Sequence, residues 1–261
     1  LLLDDAYVDF LEHGEEPALP KLRESLAWAR RHNTPHFFRW LVRGLAPMLA
    51  CALRHGIEAD YARSLVSAWQ VPPPAQDTPG WPWALRIITL GDFRVLQHDQ
   101  PLKTGRKAPA RLLDLLKVLV ALGGEGVDIR RLTAIVWHDA DGDAAHASFT
   151  NALHRLRKLL GDDSLLDLRE GRLSLDLTRC WVDALAFDAW CRRDEILSGE
   201  PRAATDRLLD LYRGQFLPQE SDAQWAAPAR DRLRSQFERQ VLRLGDRLEA
   251  ERDHASAMNL Y

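Results

Sequence analysis

The chain lacks the segments that a membrane-spanning or secreted protein needs. No window approaches the ~20 apolar residues of a membrane span, and the N-terminus has neither the basic region nor the sustained apolar run of a secretory leader. Cysteine is scarce, because Cys51, Cys180 and Cys191 form no CxxC pair and leave one thiol over. That count argues against a disulfide framework and a zinc ribbon. We therefore expect a reduced, cytoplasmic protein with no membrane partner.

The motifs that carry common enzyme chemistry are also missing. The sequence contains no GxxxxGK[ST] phosphate loop, no GxSxG elbow and no HExxH helix. The cysteines lie in largely apolar helical surroundings, where a buried inert thiol is expected. The acidic run around Gly142 resembles a calcium loop, but the glycine comes too early and Thr150 stands where the loop needs glutamate. We expect no enzyme activity, no cofactor and no metal.

Length and charge limit the remaining classes. The chain has 261 residues, 46% of them hydrophobic, which is enough for two or three domains with their own cores. Its formal net charge is -3, so the surface as a whole has no affinity for phosphate. Any binding of nucleic acid must therefore come from positive charge concentrated on one element.

The first part of the chain predicts a stack of helices followed by a linker. Residues 1–70 carry apolar side chains at three-to-four spacing, and Pro47 within that pattern is expected to divide one helix and begin the next. Residues 71–84 hold five prolines between Pro72 and Pro82, a composition that excludes helix and central strand. We expect Trp81 and Trp83 in this linker to pack on a neighbouring surface rather than to stack on a ligand.

The periodicity changes after the linker. Residues 85–178 predict two short strands, three helices and a hairpin, the order of a winged helix-turn-helix with an N-terminal sheet. Residues 179–261 predict further helices, and Leu244-Gly245, Ala257 and Tyr261 match the spacing of a tetratricopeptide repeat that the sequence does not complete. The predicted fold is mainly α with small β: a helical repeat segment, a winged helix and a C-terminal TPR-like helical domain.

One predicted helix, Ala144 to Leu160, concentrates positive charge. It contains three lysines or arginines and no acidic residue, and one side of it is apolar. The opposite side suits the DNA major groove, where asparagine pairs with adenine and arginine with guanine. The expected base contacts are Asn151, His154, Arg155 and Ser148.

Further cations and one hydroxyl suit phosphate, which contributes affinity rather than sequence preference. These candidates lie on the same helix, around the start of the first helix of the winged helix, and beside the predicted wing turn. They are Thr150, Arg157, Lys158, Lys103, Arg106, Lys107, Arg111, Arg169 and Arg172. A solvated basic helix face is the alternative interpretation, and the composition alone does not decide between the two.

Several of these segments resemble a known family. The run from Ala144 to Asp163, with its Leu-His-Arg-Leu-Arg-Lys-Leu-Leu-Gly segment and the hairpin of 168–175, resembles the OmpR/PhoB-type winged helix of SARP-like transcriptional regulators. Trp181-Val-Asp183 and Tyr212 to Pro218 resemble the bacterial transcriptional activator domain that follows it. Residues 1–74 resemble the end of the helical sensor arm of MalT-like ATPase regulators, which implies a longer parent protein.

The resemblance implies sequence-specific binding of double-stranded DNA, as a dimer or a head-to-tail pair, and recruitment of RNA polymerase. It places the polymerase contact in the acidic loop before the basic helix, at Asp139, Asp141 and Asp143. The alternative is a helical-repeat module that binds protein partners or a ligand without affinity for DNA. The operator sequence and the inducing signal do not follow from these residues.

Overall fold

The computed structural model describes residues 2–32, 42–102, 110–193 and 199–261. The chain forms two compact units, Leu1–Trp83 (the N-terminal unit) and Ala84–Tyr261 (the C-terminal unit). The described residues are mainly helical with two small sheets, which confirms the predicted fold class. Within these ranges no helix combines the length and hydrophobicity needed to cross a membrane.

The N-terminal unit consists of amphipathic helices whose apolar residues recur at helical spacing. Ala18, Leu22, Leu26 and Ala29 are fully buried along one side of the second helix, as the period of 3.6 residues requires. The described helices are α1 (Leu2–His13), α2 (Glu15–Arg31), α3 (Val42–Arg54) and α4 (Ala59–Trp69).

The prediction that Pro47 divides a helix is wrong. Pro47 lies inside α3, which runs unbroken from Val42 to Arg54. Because Pro47 lies in the second turn, the missing N–H removes one early hydrogen bond and the rest of the ladder remains. Gly56 ends this helix as expected, with φ 63° and with the Ile57 N–H donating to the Ala52 carbonyl at 2.8 Å.

The proline-rich segment forms neither helix nor strand, as its composition predicts. It is nevertheless well packed. Trp81 and Trp83 are each 5% exposed, and Asp77 and Thr78 are buried as well. The predicted boundaries of this linker stay a prediction.

The C-terminal unit holds two small sheets. Its first sheet has the order β3-β2-β1-β7, with β1 antiparallel to β2 and parallel to β7, and its second has the order β4-β6-β5. The strands are β1 (Leu85–Ile88), β2 (Arg94–Gln97), β3 (Gln100–Pro101), β4 (Val127–Asp128), β5 (Leu166–Arg169), β6 (Arg172–Leu175) and β7 (Cys180–Val182).

Three α-helices are described between β3 and β5 in sequence, with β4 between the first and the second of them. They are α5 (Ala110–Ala121), α6 (Ile129–Val136) and α7 (Gly142–Leu160). Strands β5 and β6 form the predicted hairpin, or wing, whose turn residues Glu170 and Gly171 both have positive φ, at 49° and 72°. Two successive left-handed residues define the type I′ turn that matches strand twist.

The described residues after β7 include four α-helices: α8 (Asp183–Cys191), α9 (Pro201–Leu211), α10 (Ala227–Ala250) and α11 (His254–Leu260). Residues on both sides of the predicted boundary between 178 and 179 share one hydrophobic core, and β7 from beyond it pairs with β1. A Cβ at Gly245 would meet the hydroxyl end of the exposed Tyr261 side chain, which would have to move to make room for it.

Asp183 joins the helical part of this unit to the first sheet. Its carboxylate is 3% exposed and accepts hydrogen bonds from the Thr89 N–H and the Leu90 N–H, both at 2.8 Å, and from the Thr89 hydroxyl at 2.6 Å. Burial raises the pKa of Asp183, and the hydrogen bonds from Thr89, Leu90 and Ala184 act in the opposite direction.

Candidate nucleic-acid interface

Helix α7 has a defined cap at each end. Asp141 accepts a hydrogen bond from the Ala144 N–H at 2.8 Å, which satisfies one of the free donors of the first turn. Gly161 ends the helix with φ 72°, and the Gln97 amide of β2 donates to the Leu160 carbonyl at 3.0 Å. The first sheet therefore caps the carboxyl end of this helix.

One side of α7 lies in the core of the C-terminal unit. Phe149 is 1% exposed and meets Trp137, at the end of α6, edge to face with ring centroids 6.4 Å apart. The buried residues of the helix are those of the apolar side expected from the sequence: Ala145, Phe149, Ala152, Leu153, Leu156 and Leu160. The core fixes the rotation of α7 about its axis, and thus which side chains point outward.

The exposed side of α7 presents the predicted base-contacting residues. Asn151, His154 and Arg155 are exposed, as is the nearby Lys158, while Ser148 is half-buried. Within the described part of the chain, none of the four exposed side chains has a hydrogen bond or ion pair. They are available to a ligand without the loss of an internal contact.

Two other residues predicted on this helix have partners of their own. The Thr150 hydroxyl donates to the His146 carbonyl at 3.0 Å, one turn earlier. The Arg157 guanidinium donates from Nη2 to the Leu166 carbonyl at 2.7 Å and from Nε at 3.3 Å. Arg157 thereby links the last turn of α7 to strand β5, while its remaining N–H groups stay available.

Three of the cations expected to contact phosphate elsewhere are held by neighbours. Arg169 pairs with Asp167 at 2.7 Å, Arg111 pairs with Asp139 at 3.3 Å, and Arg172 donates to the Gly126 carbonyl at 2.9 Å. Exposed ion pairs contribute little stability, so Arg169 and Arg111 lose little by exchanging a carboxylate for a phosphate. Lys103, Arg106 and Lys107 lie outside the described residues.

The three loop acids occupy different environments. Asp141 is engaged as the N-cap of α7, and Asp143 is exposed in the first turn. Asp139 is exposed, and its pKa is lowered by a hydrogen bond from its own backbone and by the charge of Arg111. Beside this loop, a cleft of about 410 Å³ lies between α6 and the start of α7, lined in part by Trp137 and His146.

The structure adds one cation that the sequence analysis did not select. Arg131, in the first turn of α6, is exposed and has no side-chain partner among the described residues. Its neighbour Arg130 pairs with Asp128 at 3.1 Å. The sequence signal for this cation was the pair Arg130-Arg131 at the start of α6.

No protein-family model and no curated protein matches this chain by sequence. Among solved structures, the chain is similar to Mycobacterium tuberculosis EmbR in complex with a low-affinity phosphopeptide, with 22% identity and a TM-score of 0.50. The match covers 68% of this chain and 48% of that one, so the chain spans about half the length of EmbR. At this identity the likeness shows a shared fold.

Proposed function

We propose that the chain is part of a cytoplasmic bacterial transcription regulator that binds double-stranded DNA sequence-specifically through α7. The observation that carries the proposal is the exposed side of this helix, where Asn151, His154, Arg155 and Lys158 have no other partner in the described structure. The fold shared with EmbR, a SARP-family transcriptional regulator, supports the same class.

The chemistry of the exposed side chains assigns their roles. In the major groove, Asn151 pairs with adenine through its amide, and Arg155 pairs with the O6 and N7 acceptors of guanine. His154 and Ser148 supply single hydrogen bonds beside them. The buried side of α7 holds these groups in one orientation, which direct recognition of bases requires.

Phosphate contacts fix the position of the helix in the groove. Lys158 is the free cation of the last turn, and Thr150 and Arg157 offer their remaining hydrogen-bonding capacity beside it. Arg169 and Arg172 on the wing and Arg111 on α5 extend this set, with Lys103, Arg106 and Lys107 as further predicted members. These contacts make affinity fall with salt, independently of sequence.

The loop of Asp139, Asp141 and Asp143 is our candidate for the contact with RNA polymerase, because its negative charge disfavours DNA. Residues 179–261 are the proposed activator domain, which contacts polymerase or a second protomer. No metal or cofactor enters this proposal, and it includes no catalytic step.

The test is DNA selection from genomic fragments, followed by binding measurements on the selected site at several salt concentrations. We expect Arg155→Ala and Asn151→Ala each to weaken specific binding by about 1–3 kcal/mol. Lys158→Ala should weaken binding to all sequences alike and reduce the salt slope by about 1. Arg243→Ala, which removes an exposed arginine of α10, is the matched control and should change neither.

The competing function is a protein-interaction module without affinity for DNA. Leu242 and Met258 favour it, because these apolar side chains on α10 and α11 are 61% and 80% exposed. The same experiment separates the two functions. Absence of salt-dependent DNA binding by the wild-type chain would leave the interaction module as the better explanation.

A further inference from the structure

The N-terminal unit brings three metal-binding side chains together at a place that the DNA-binding proposal does not use. One ligand atom each of Glu15, Cys51 and His55 lies within 4.8 Å of the others. Bond lengths of about 2.0–2.3 Å to zinc put neighbouring ligand atoms roughly 3–4 Å apart in a tetrahedral site. Small side-chain rotations are therefore enough to bring these donors to one ion.

Two helices supply the three donors. Cys51 and His55 are separated by one turn at the end of α3, so they lie on the same side of it. Glu15 is the first residue of α2 and faces them, with its Oε2 3.1 Å from Nε2 of His55. Cys51 is 1% exposed, whereas the other two side chains are about 30% exposed, at 29% and 28%. The cluster is thus shielded from solvent at Cys51, and an ion can reach it from the side of Glu15 and His55.

The charges of the three donors suit a divalent cation. Oε1 of Glu15 pairs with the Arg54 guanidinium and Oε2 faces His55, so Glu15 offers a carboxylate donor. A metal ion binds cysteine as the thiolate, so the ion displaces the proton of the Cys51 thiol. A thiolate, a carboxylate and a neutral imidazole then carry two negative charges against the two positive charges of the ion.

One neighbour opposes an ion. The Arg54 guanidinium forms an ion pair with Oε1 of Glu15, and its side chain is 47% exposed. An exposed pair of this kind is weak, and the arginine is free to turn into solvent. Arg54 therefore competes with the ion for Glu15 without blocking the donors.

We propose that Glu15, Cys51 and His55 bind a divalent transition-metal ion of the zinc class. Thiolate, imidazole and carboxylate are all donors that zinc accepts, and three-ligand protein sites complete a tetrahedron with water or another small ligand. The softer sulfur donor disfavours magnesium and calcium. Binding joins the start of α2 to the end of α3 and releases the Cys51 proton to solvent.

The test is titration of the full chain with Co²⁺, followed by displacement with Zn²⁺. We expect one equivalent of Co²⁺ to give the absorption band of thiolate-to-cobalt charge transfer, and one equivalent of Zn²⁺ to abolish it. Cys51→Ser should remove the band. The matched control is Cys191→Ser, which changes a partly buried thiol outside the cluster and should keep the band.

Two kinds of variant separate a ligand role from a structural one. Glu15→Gln and His55→Gln should each weaken Zn²⁺ binding more than about tenfold, since even residues outside the ligand set cost 10–100-fold. Arg54→Gln should strengthen it roughly tenfold, because it removes a repulsive charge and frees Glu15. If circular dichroism shows that Cys51→Ser does not fold, the Zn²⁺ affinities of the Glu15, His55 and Arg54 variants test the proposal instead.

The proposal is overturned if the wild-type chain gives no charge-transfer band. It is also overturned if Cys191→Ser rather than Cys51→Ser removes the band, or if Arg54→Gln weakens binding. None of these outcomes bears on DNA binding by α7, so the two proposals fail independently.

Discussion

Replacing Asp183 with asparagine tests whether this carboxylate fastens the helical part of the C-terminal unit to its first sheet. Asparagine has the same shape, so the change leaves packing intact and alters only the hydrogen bonds. One carboxylate oxygen becomes an NH₂ group that cannot accept. The NH₂ group, itself a donor, then faces either the Leu90 N–H or the donors of Thr89 and Ala184.

The cost follows from burial, because a displaced donor at a site 3% exposed finds no water. Leaving one buried N–H unsatisfied costs about 1–3 kcal/mol, and the remaining bonds lose the strength that a charged acceptor gives them. We therefore expect Asp183→Asn to lower the stability of this joint by about 3 kcal/mol, which corresponds to roughly a 150-fold change in an equilibrium constant.

Native-state hydrogen exchange measures the change locally. Backbone amides of β1 and β7 should exchange about two orders of magnitude faster in Asp183→Asn, while amides of the N-terminal unit keep their rates. The control is Asp176→Asn, a less buried turn aspartate that accepts from Thr178, and it should change the same rates less than about tenfold. Equal, small effects of the two substitutions would refute the role assigned to Asp183.

Three further changes address the helix α7 and its surroundings. Gly161→Ala places a Cβ on a left-handed residue (φ 72°) and should cost about 1–2 kcal/mol in denaturant unfolding, whereas an unchanged midpoint would contradict the cap. Phe149→Ala should cost about 3–5 kcal/mol in the same assay, because the ring is 1% exposed, and a loss below 1 kcal/mol would show that α7 is not packed as described. The pKa of Asp162 is lowered by hydrogen bonds from Ser164 and by Arg179, so its stabilisation is present above the ordinary aspartate pKa of about 3.9 and is lost as the pH falls through the lowered value. Unfolding followed against pH should therefore show a shallower acid loss in Asp162→Asn, and an unchanged profile would contradict it.

The orientation of α7 was predictable because it depends on residues close together in sequence. The helical period alone placed Phe149 and Leu156 inward and Asn151 and Arg155 outward, and the burial of the first pair confirms it. The wing turn was predictable for the same reason, since Gly171 between two short runs of alternating apolar residues favours a tight hairpin turn.

Contacts between distant residues were not predictable. Gln97 caps α7 from 63 residues away, and Arg157 donates two hydrogen bonds to the Leu166 carbonyl of β5. Nothing in the local sequence distinguishes Arg157 from the free Lys158. The approach of Glu15 to Cys51 and His55 likewise depends on how two helices pack, so the spacing of cysteines and histidines along the chain did not indicate it.

Because β1 pairs with β7, one edge of β1 stays unpaired during synthesis until β7 has been made. Strand β1 leaves the ribosome about 95 residues before β7, which at 5–20 residues per second leaves one edge of β1 without its partner for roughly 5–20 s. An unpaired strand edge in a nascent chain is a site for association with other chains. Slow translation between residues 88 and 180 should therefore lower the yield of folded protein, and synonymous codon changes in that interval provide a way to measure it.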